Sequence, residues 1–311
     1  MNTTTTNTPS AAAAPVHAAG VETPMQRIWK DFKSSRVAVG GLITVCLLIA
    51  FAVFAPLISP QDPYDLNQLS IMDARVKPGT MNAEGTYRFW LGTDDQGRDI
   101  VSGIAYGLRT SLLVGFGTTA LALLIGSFFG LIAAYFGGKI ENLIMRLVDL
   151  QLSFPAMLIA LILVSILGSG IDKVIIALVA VQWAYYARTI RGAALVERQK
   201  EYIEAAQCLG FSNARIVFSH LLPNSLPPLL VVATINIATA ISLEATLSFL
   251  GVGAPITKPS LGKLIANGYS YMLSGDYWIS FFPGLMLLIA IVAINLVGDQ
   301  LRDALNPRLQ K

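Results

Sequence analysis

Apolar runs of membrane-crossing length recur along the chain. A helix needs about 20 mainly apolar residues to cross the hydrocarbon core. Val37–Ile58, Thr110–Tyr135, Leu147–Leu167, Leu226–Leu250 and Trp278–Val297 meet that need, although the third carries Asp149 near its start and Pro155 inside it. Val174–Ala187 is shorter, but Arg188 and Arg191 at its end make interfacial anchors. Counting it places both termini on one side. The pattern predicts an all-α fold, a polytopic membrane bundle of six transmembrane helices, with the rest of the chain divided among tails and loops.

Those remaining stretches are a tail over 1–24, an amphipathic stretch over 25–36, an outer loop over 59–109 and an inner loop over 191–224. The tail is rich in Thr, Ala and Pro and is expected to be disordered. In the next stretch Ile28, Trp29, Phe32 and Val37 alternate with Arg and Lys, which fits either an interfacial helix on lipid headgroups or simple positive flanking charge. The outer loop, with Tyr64, Tyr87, Phe89 and Trp90 among mixed charges, reads as a docking segment or as a small structured cap. After it comes a five-helix core over 110–311, interrupted by the inner loop and closed by a C-terminal tail.

In that inner loop Leu195, Tyr202, Ala205, Ala206 and Leu209 recur at helical steps, predicting a helix with one apolar stripe. Gly210 stops it, as a residue able to take positive φ after a helix end. Ser212 or Asn213 caps a second short helix bearing Ile216, Val217 and Leu221, and Pro223 ends that helix before the next span. The result is a helix–turn–helix, which by periodicity alone is either a docking element or a membrane-hugging connector.

Composition agrees with a membrane protein: 54% of residues are hydrophobic and 13% charged, against about 25% charged in soluble domains. A net charge of +3 gives no reason to expect nucleic acid as a partner. With the amino terminus inside, 14 of the 22 Lys and Arg residues lie on the cytoplasmic side, so both termini are expected there. The two cysteines and two histidines form no ligand or disulfide spacing, and no metal site is expected. No phosphate-binding G-x-x-x-x-G-K-[ST] occurs, and no nucleophile–base pair lies at membrane depth, so no catalytic residue is assigned.

Ionisable groups inside a membrane mark a pathway or a partner. Glu244 either faces a translocation cavity, or lies near enough to the interface to be wetted or bonds a neighbouring helix, and Asn236, Asn295 and Gln182 are candidates for interhelical bonds, Asn236 also for the pathway. Asp149 and Arg146 read as a structural ion pair, and Gly115, Gly117, Gly126 and Gly130 as close-packing positions.

Glu204-Ala205-Ala206, then Gly210, then His220-Leu221-Leu222-Pro223 resembles the EAA loop of ABC importer permeases. The general pattern has an aliphatic residue at His220; His-x-Leu-Pro-Asn is similar to the dipeptide and oligopeptide branch. Leu91–Asp99, Met145–Asp149 with Phe154-Pro155, Ser248–Ala254 and Gly298–Pro307 resemble further landmarks of its C-type permease, so the likeness covers about residues 25–311. Pro255–Gly262 departs from it, lacking the Trp of the family's usual Pro-x-Pro-x-Trp-Gly turn. The resemblance implies a subunit of the bacterial inner membrane, embedded in lipid, that forms half of a pathway with a second homologous permease. It also implies one or two ATPase subunits that hold ATP and Mg, and a periplasmic or lipoprotein solute-binding protein. Glu204, Ala205, Ala206, Gly210, His220, Leu222 and Pro223 would couple the chain to the ATPase. The solute implied is a di- or oligopeptide, with nickel chelates, glutathione or another small solute as the alternative.

Overall fold

The computed structural model describes residues 32–33, 35–255 and 258–305. The expected tail 1–24, most of the amphipathic stretch 25–36, two residues of the departing turn (256–257) and the last residues 306–311 lie outside them. Helix α1 (Arg36–Val53) starts where Ser35 accepts a hydrogen bond from the Ala38 N–H at 3.3 Å. Val37, Ile43, Leu47 and Val53 face outward, as on a lipid-facing helix, while Ala38, Leu48 and Ala52 pack inward, and one further turn, α2 (Ala55–Ile58), restarts at Pro56.

The 59–109 segment is a structured cap. Strand β1 (Thr80–Met81) pairs antiparallel with β2 (Arg88–Phe89), Thr80 opposite Phe89. Below the hairpin the stretch Leu91–Asp99 folds as a knot of short bonds. Thr93 Oγ1 donates to Asp73 O at 2.5 Å and accepts from Val76 N at 2.7 Å. Asp94 Oδ1 accepts from Gln96 N at 2.9 Å and Arg98 N at 2.8 Å, closing the turn. Asp94 is fully buried, and burial pushes its carboxyl up to about 6 even though Arg98 lies beside it.

Asp99 then caps α3 (Ile100–Phe136), accepting from Ser102 N at 2.7 Å. This helix begins ten residues before the apolar run that predicted it at Thr110, because the cap at Asp99 rather than hydropathy sets its start. Helix α4 (Gly138–Leu152) and α5 (Ala156–Leu167) were expected as a single span from Leu147, but they are bent by 91°. Pro155 lacks an N–H and forces Phe154 out of the helical region, which breaks the run.

Helix α6 (Ile171–Arg198) is twice as long as the short run Val174–Ala187 suggested. The 191–224 segment supplies α7 (Glu201–Cys208), and α8 runs without interruption over Asn213–Phe249. Ser260 caps α9 (Leu261–Tyr269), and α10 (Trp278–Leu305) completes the described chain. Among the described residues four helices are long and apolar enough to cross a membrane (α1, α3, α8 and α10), or five if the bent pair is one span. The expected six is not reached. The shortfall is α6, whose centre holds Gln182, Trp183, Tyr185 and Tyr186 and whose ends are charged.

Helices α3 and α6 pack closest through glycine. A Cβ at Gly126 would lie 2.4 Å from Trp183 O, and one at Gly130 2.4 Å from Ala187 O, so only hydrogen fits. Helix α4 is fastened to α6 by ion pairs Arg188–Asp149 and Arg191–Glu141, so Asp149 pairs across helices and not with Arg146. Between them Gln151 donates to Val181 O at 2.9 Å and accepts from Trp183 Nε1 at 2.7 Å.

Candidate functional site: the 191–224 segment and the polar groups of α6 and α8

The segment is built as one block. Helix α6 carries it as far as Arg198; the chain breaks at Gln199–Lys200, and α7 follows. That break resets the helical phase, so the expected stripe is not the one observed. Ile203 and Ala206 are buried, whereas Ala205 points outward and Leu209 is 73% exposed.

Helix α7 ends in a Schellman turn: Gly210 N donates to Gln207 O at 2.9 Å and Phe211 N to Ala206 O at 3.2 Å. Gly210 has φ +73, a region in which a Cβ is disfavoured, although open space surrounds it. Ser212 caps α8, accepting from Arg215 N at 3.4 Å. The first turns of α8 widen into a π-helical stretch over Ile216–Leu221, in which Leu222 N donates to Val217 O. Pro223 therefore does not end this helix. The wider turns lie directly before the residue that cannot donate, and the chain continues through Pro223 as α8.

Ile203, Ala206, Ile216, Val217 and Leu221 form the buried underside, packed on Leu131 and Ala134 of α3 and on Ile190 and Ala194 of α6. A polar collar reinforces the junction. Tyr135 Oη donates to Asn213 Oδ1 at 2.7 Å, Arg198 Nη1 to Ala134 O at 3.0 Å, and Tyr202 Oη to Glu197 Oε2 at 2.7 Å. His220 stacks on Phe211, rings 6.0 Å apart and 8° from parallel, and Arg215 lies 4.3 Å from that phenyl ring. Asn224 closes the collar, donating to His220 O at 2.7 Å and Tyr202 Oη at 3.1 Å.

Of the residues singled out in the sequence, Glu204, Ala205, Gly210 and Pro223 are thus exposed. Ala206 is buried, and His220 and Leu222 are half-buried, so these three hold the block together. Sequence reading missed Phe211, Arg215 and Ile203, of which only the Ile203 spacing to Ala206 carried a signal.

The membrane-depth groups divide differently. Glu244 is 1% exposed; Ser111 Oγ on α3 donates to its Oε2 at 3.0 Å and Ser248 Oγ to its Oε1 at 2.7 Å. Its carboxyl oxygens thus join α8 to α3, and the group is buried. Asn236 lies with Gln182 on a cleft between α8 and α6, and Gln182 Nε2 donates to Asn236 O at 3.2 Å. Among the described residues no group of three or more His, Cys, Asp or Glu is placed to hold a metal.

Comparison with known families decides what this arrangement belongs to. The family described as "Binding-protein-dependent transport system inner membrane component" matches residues 126–311, which include the whole block. The chain belongs to that family. A second match, the "N-terminal TM domain of oligopeptide transport permease C", covers residues 23–78 of this permease. Among its relatives, the dipeptide transport system permease protein of Alkalihalophilus pseudofirmus is 38% identical over 92% of this chain and 91% of its own length. The oligopeptide transport system permease protein of Bacillus subtilis is 36% identical over 91% of each. The glutathione transport system permease protein of Pectobacterium atrosepticum is 37% identical over 93% of each. A solved chain of the MetNI methionine ABC transporter, in inward-facing conformations, shares the fold: TM-score 0.54, 22% identity, over 66% of this chain and 96% of that one. The permease is accordingly a multi-pass inner-membrane protein.

Proposed function

We propose that this permease forms half of the membrane pathway of an ATP-driven importer of di- and oligopeptides. It works beside a second homologous permease, with one or two ATPase subunits on its cytoplasmic side and a solute-binding protein on the outside. The ATPases bind ATP and Mg; this chain transmits their movement. The observation that carries the reading is the continuity of the inner block. Its underside is locked into α3 and α6, and its second half is the same helix as α8. Movement imposed on the exposed Glu204, Ala205 and Gly210 therefore reaches α3, α6 and α8 through the packed underside of the block. Glu204 stands in the first turn of α7, where a carboxylate complements the helix dipole and leaves its outer oxygens free for a partner. Ala206, His220, Leu222 and Pro223 serve coupling indirectly by shaping the block. Asn236 is the pathway residue, and Glu244 holds α8 to α3. The basic-residue excess supports placing the block and both termini in the cytoplasm. Peptide is favoured as the solute because two of the relatives named above carry dipeptide and oligopeptide in their names.

Reconstituted with its partner subunits and receptor in vesicles, the permease should support ATP-dependent uptake of labelled dialanine. Uptake confined to glutathione or a nickel chelate would overturn the peptide reading while leaving the coupling reading intact.

A further inference from the structure

Helix α4 is fastened to α6 along one side only. On that side Met145, Val148 and Leu152 pack with Ala184 and Ala187 of α6, and both acids of α4, Glu141 and Asp149, are spent on arginines of α6. The other side is bare. Ile140, Leu143, Leu147 and Leu150 recur at steps of three and four, so they share one face. They and Phe154, just beyond the helix, are between 46% and 64% exposed. Lys139 and Arg146, two helical turns apart, edge this stripe on one flank. Both are exposed, and among the described residues neither makes an ion pair or hydrogen bond, because Asp149, the expected partner of Arg146, is taken by Arg188. Lys139 stands just past the end of α3 at Phe136, where the chain leaves the apolar run.

We infer that this face of α4 binds an anionic phospholipid, with acyl chains along Leu143, Leu147 and Leu150 and the phosphate at Lys139 and Arg146. The inference goes beyond the transport reading and does not depend on the solute. An apolar stripe edged by uncompensated cations is the arrangement that holds a helix against acidic headgroups. The long stems of Lys139 and Arg146 let each charge reach headgroup level while the stripe stays in hydrocarbon. A second copy of this chain is the poorer fit. A two-fold contact would set two uncompensated basic edges against each other, whereas phospholipid supplies both the apolar cover and the negative charge. The bound lipid would bear on coupling, because α6, to which Arg188, Arg191 and Trp183 tie α4, leads directly into the 191–224 block.

The test uses the complete importer reconstituted in mixed vesicles of phosphatidylglycerol and phosphatidylcholine, with a trace of one or the other carrying a diazirine in its acyl chain. After illumination, peptides of this chain are read by mass spectrometry. The wild-type stretch 139–154 should take label from phosphatidylglycerol in preference to phosphatidylcholine. Arg146→Gln should lower that preference about fivefold, the worth of one cation at an anionic surface; if this variant fails to assemble, Lys139→Gln takes its place with the same expectation. Lys258→Gln removes an exposed cation outside α4 and should leave the preference unchanged. The site is overturned by an absence of label within 139–154 in the wild type, by equal label from the two lipids, or by an unchanged preference in the α4 variant. An equal fall in Arg146→Gln and Lys258→Gln overturns it too, since net charge alone would then account for the effect. A benzophenone attached at Leu147→Cys, with Cys46 and Cys208 replaced by Ser, should cross-link to lipid. Cross-linking to a second permease instead would refute the proposal.

Discussion

Adjacent alanines on α7 face opposite surroundings: Ala206 is 5% exposed against Ile203 and Ile216, while Ala205 is turned outward. A bulky side chain should therefore have opposite consequences at the two positions. Ala206→Trp overpacks the underside of the block and should cost about 1–3 kcal/mol, seen as a lower melting temperature of the detergent-solubilised permease. Ala205→Trp should leave stability within about 0.5 kcal/mol, as surface changes usually do, yet abolish co-purification of the ATPase. Equal melting temperatures for the two variants would refute the orientation of α7. At Gly210 the space is open and the conformation is not. Gly210→Ala should cost about 1 kcal/mol or more, and Gly210→Asn less, because Asn tolerates positive φ better.

Helix pairing sets the next scale. On α3, a Cβ at Gly126 would meet the Trp183 carbonyl at 2.4 Å, whereas one at Gly117 comes no nearer than 3.9 Å to Ile175. Gly126→Ala should therefore separate α3 from α6 and lower the yield of folded permease in fluorescence-detected chromatography. Gly117→Ala should be tolerated, or slightly stabilising, since Ala is the better helix former. The same pairing shows what hydropathy reports and what it does not. Runs such as Trp278–Val297 were legible because a span is a sum over many apolar residues. The bend at Pro155 was not, since the run stays apolar through a change of direction. The start of α3 was hidden too, because residues 100–109 mix Ser, Gly, Tyr and Arg with apolar side chains and only the bond from Ser102 to Asp99 marks it. At the candidate site, the fixed spacing from Glu204 to Pro223 made the block legible. The orientation of Ala206 was not, because the break at Gln199–Lys200 resets the phase. Gln182 and Asn236 stood out as polar, but 54 residues separate them, and only packing brings them to one cleft.

Across the whole molecule, the two ends of the bundle should report from different compartments. A cytoplasm-dependent reporter inserted after Glu204 should be active, and one near Met81 silent; activity at Met81 would invert the topology. The cap before α3 adds a pH dependence. Asp94 titrates at about 6 in the folded cap and near 3.9 when unfolded. Between those values the folded cap holds a proton that the unfolded chain has lost. The protonated form's contribution to stability is thus complete below about pH 4 and is lost as pH rises through about 6. Protease resistance of residues 61–99 should accordingly fall from pH 4 to pH 7, and Asp94→Asn should flatten that decline. An unchanged slope in the variant would place the titrating group elsewhere.

The unbroken course of α8 has a consequence for chimaeras. Transplanting the 191–224 segment between relatives has natural seams at Gln199–Lys200 and at the Gly210 turn, and none beyond Asn213 before the helix ends at Phe249. Each residue inserted or deleted between Asn213 and Pro223 would turn everything beyond it by about 100°. Asn236 would swing away from Gln182, and Glu244 away from Ser111. Length in this stretch is therefore far less free to vary than in an ordinary surface loop, and functional exchanges that reach past Asn213 should be those that carry the donor's α8 along with its α7.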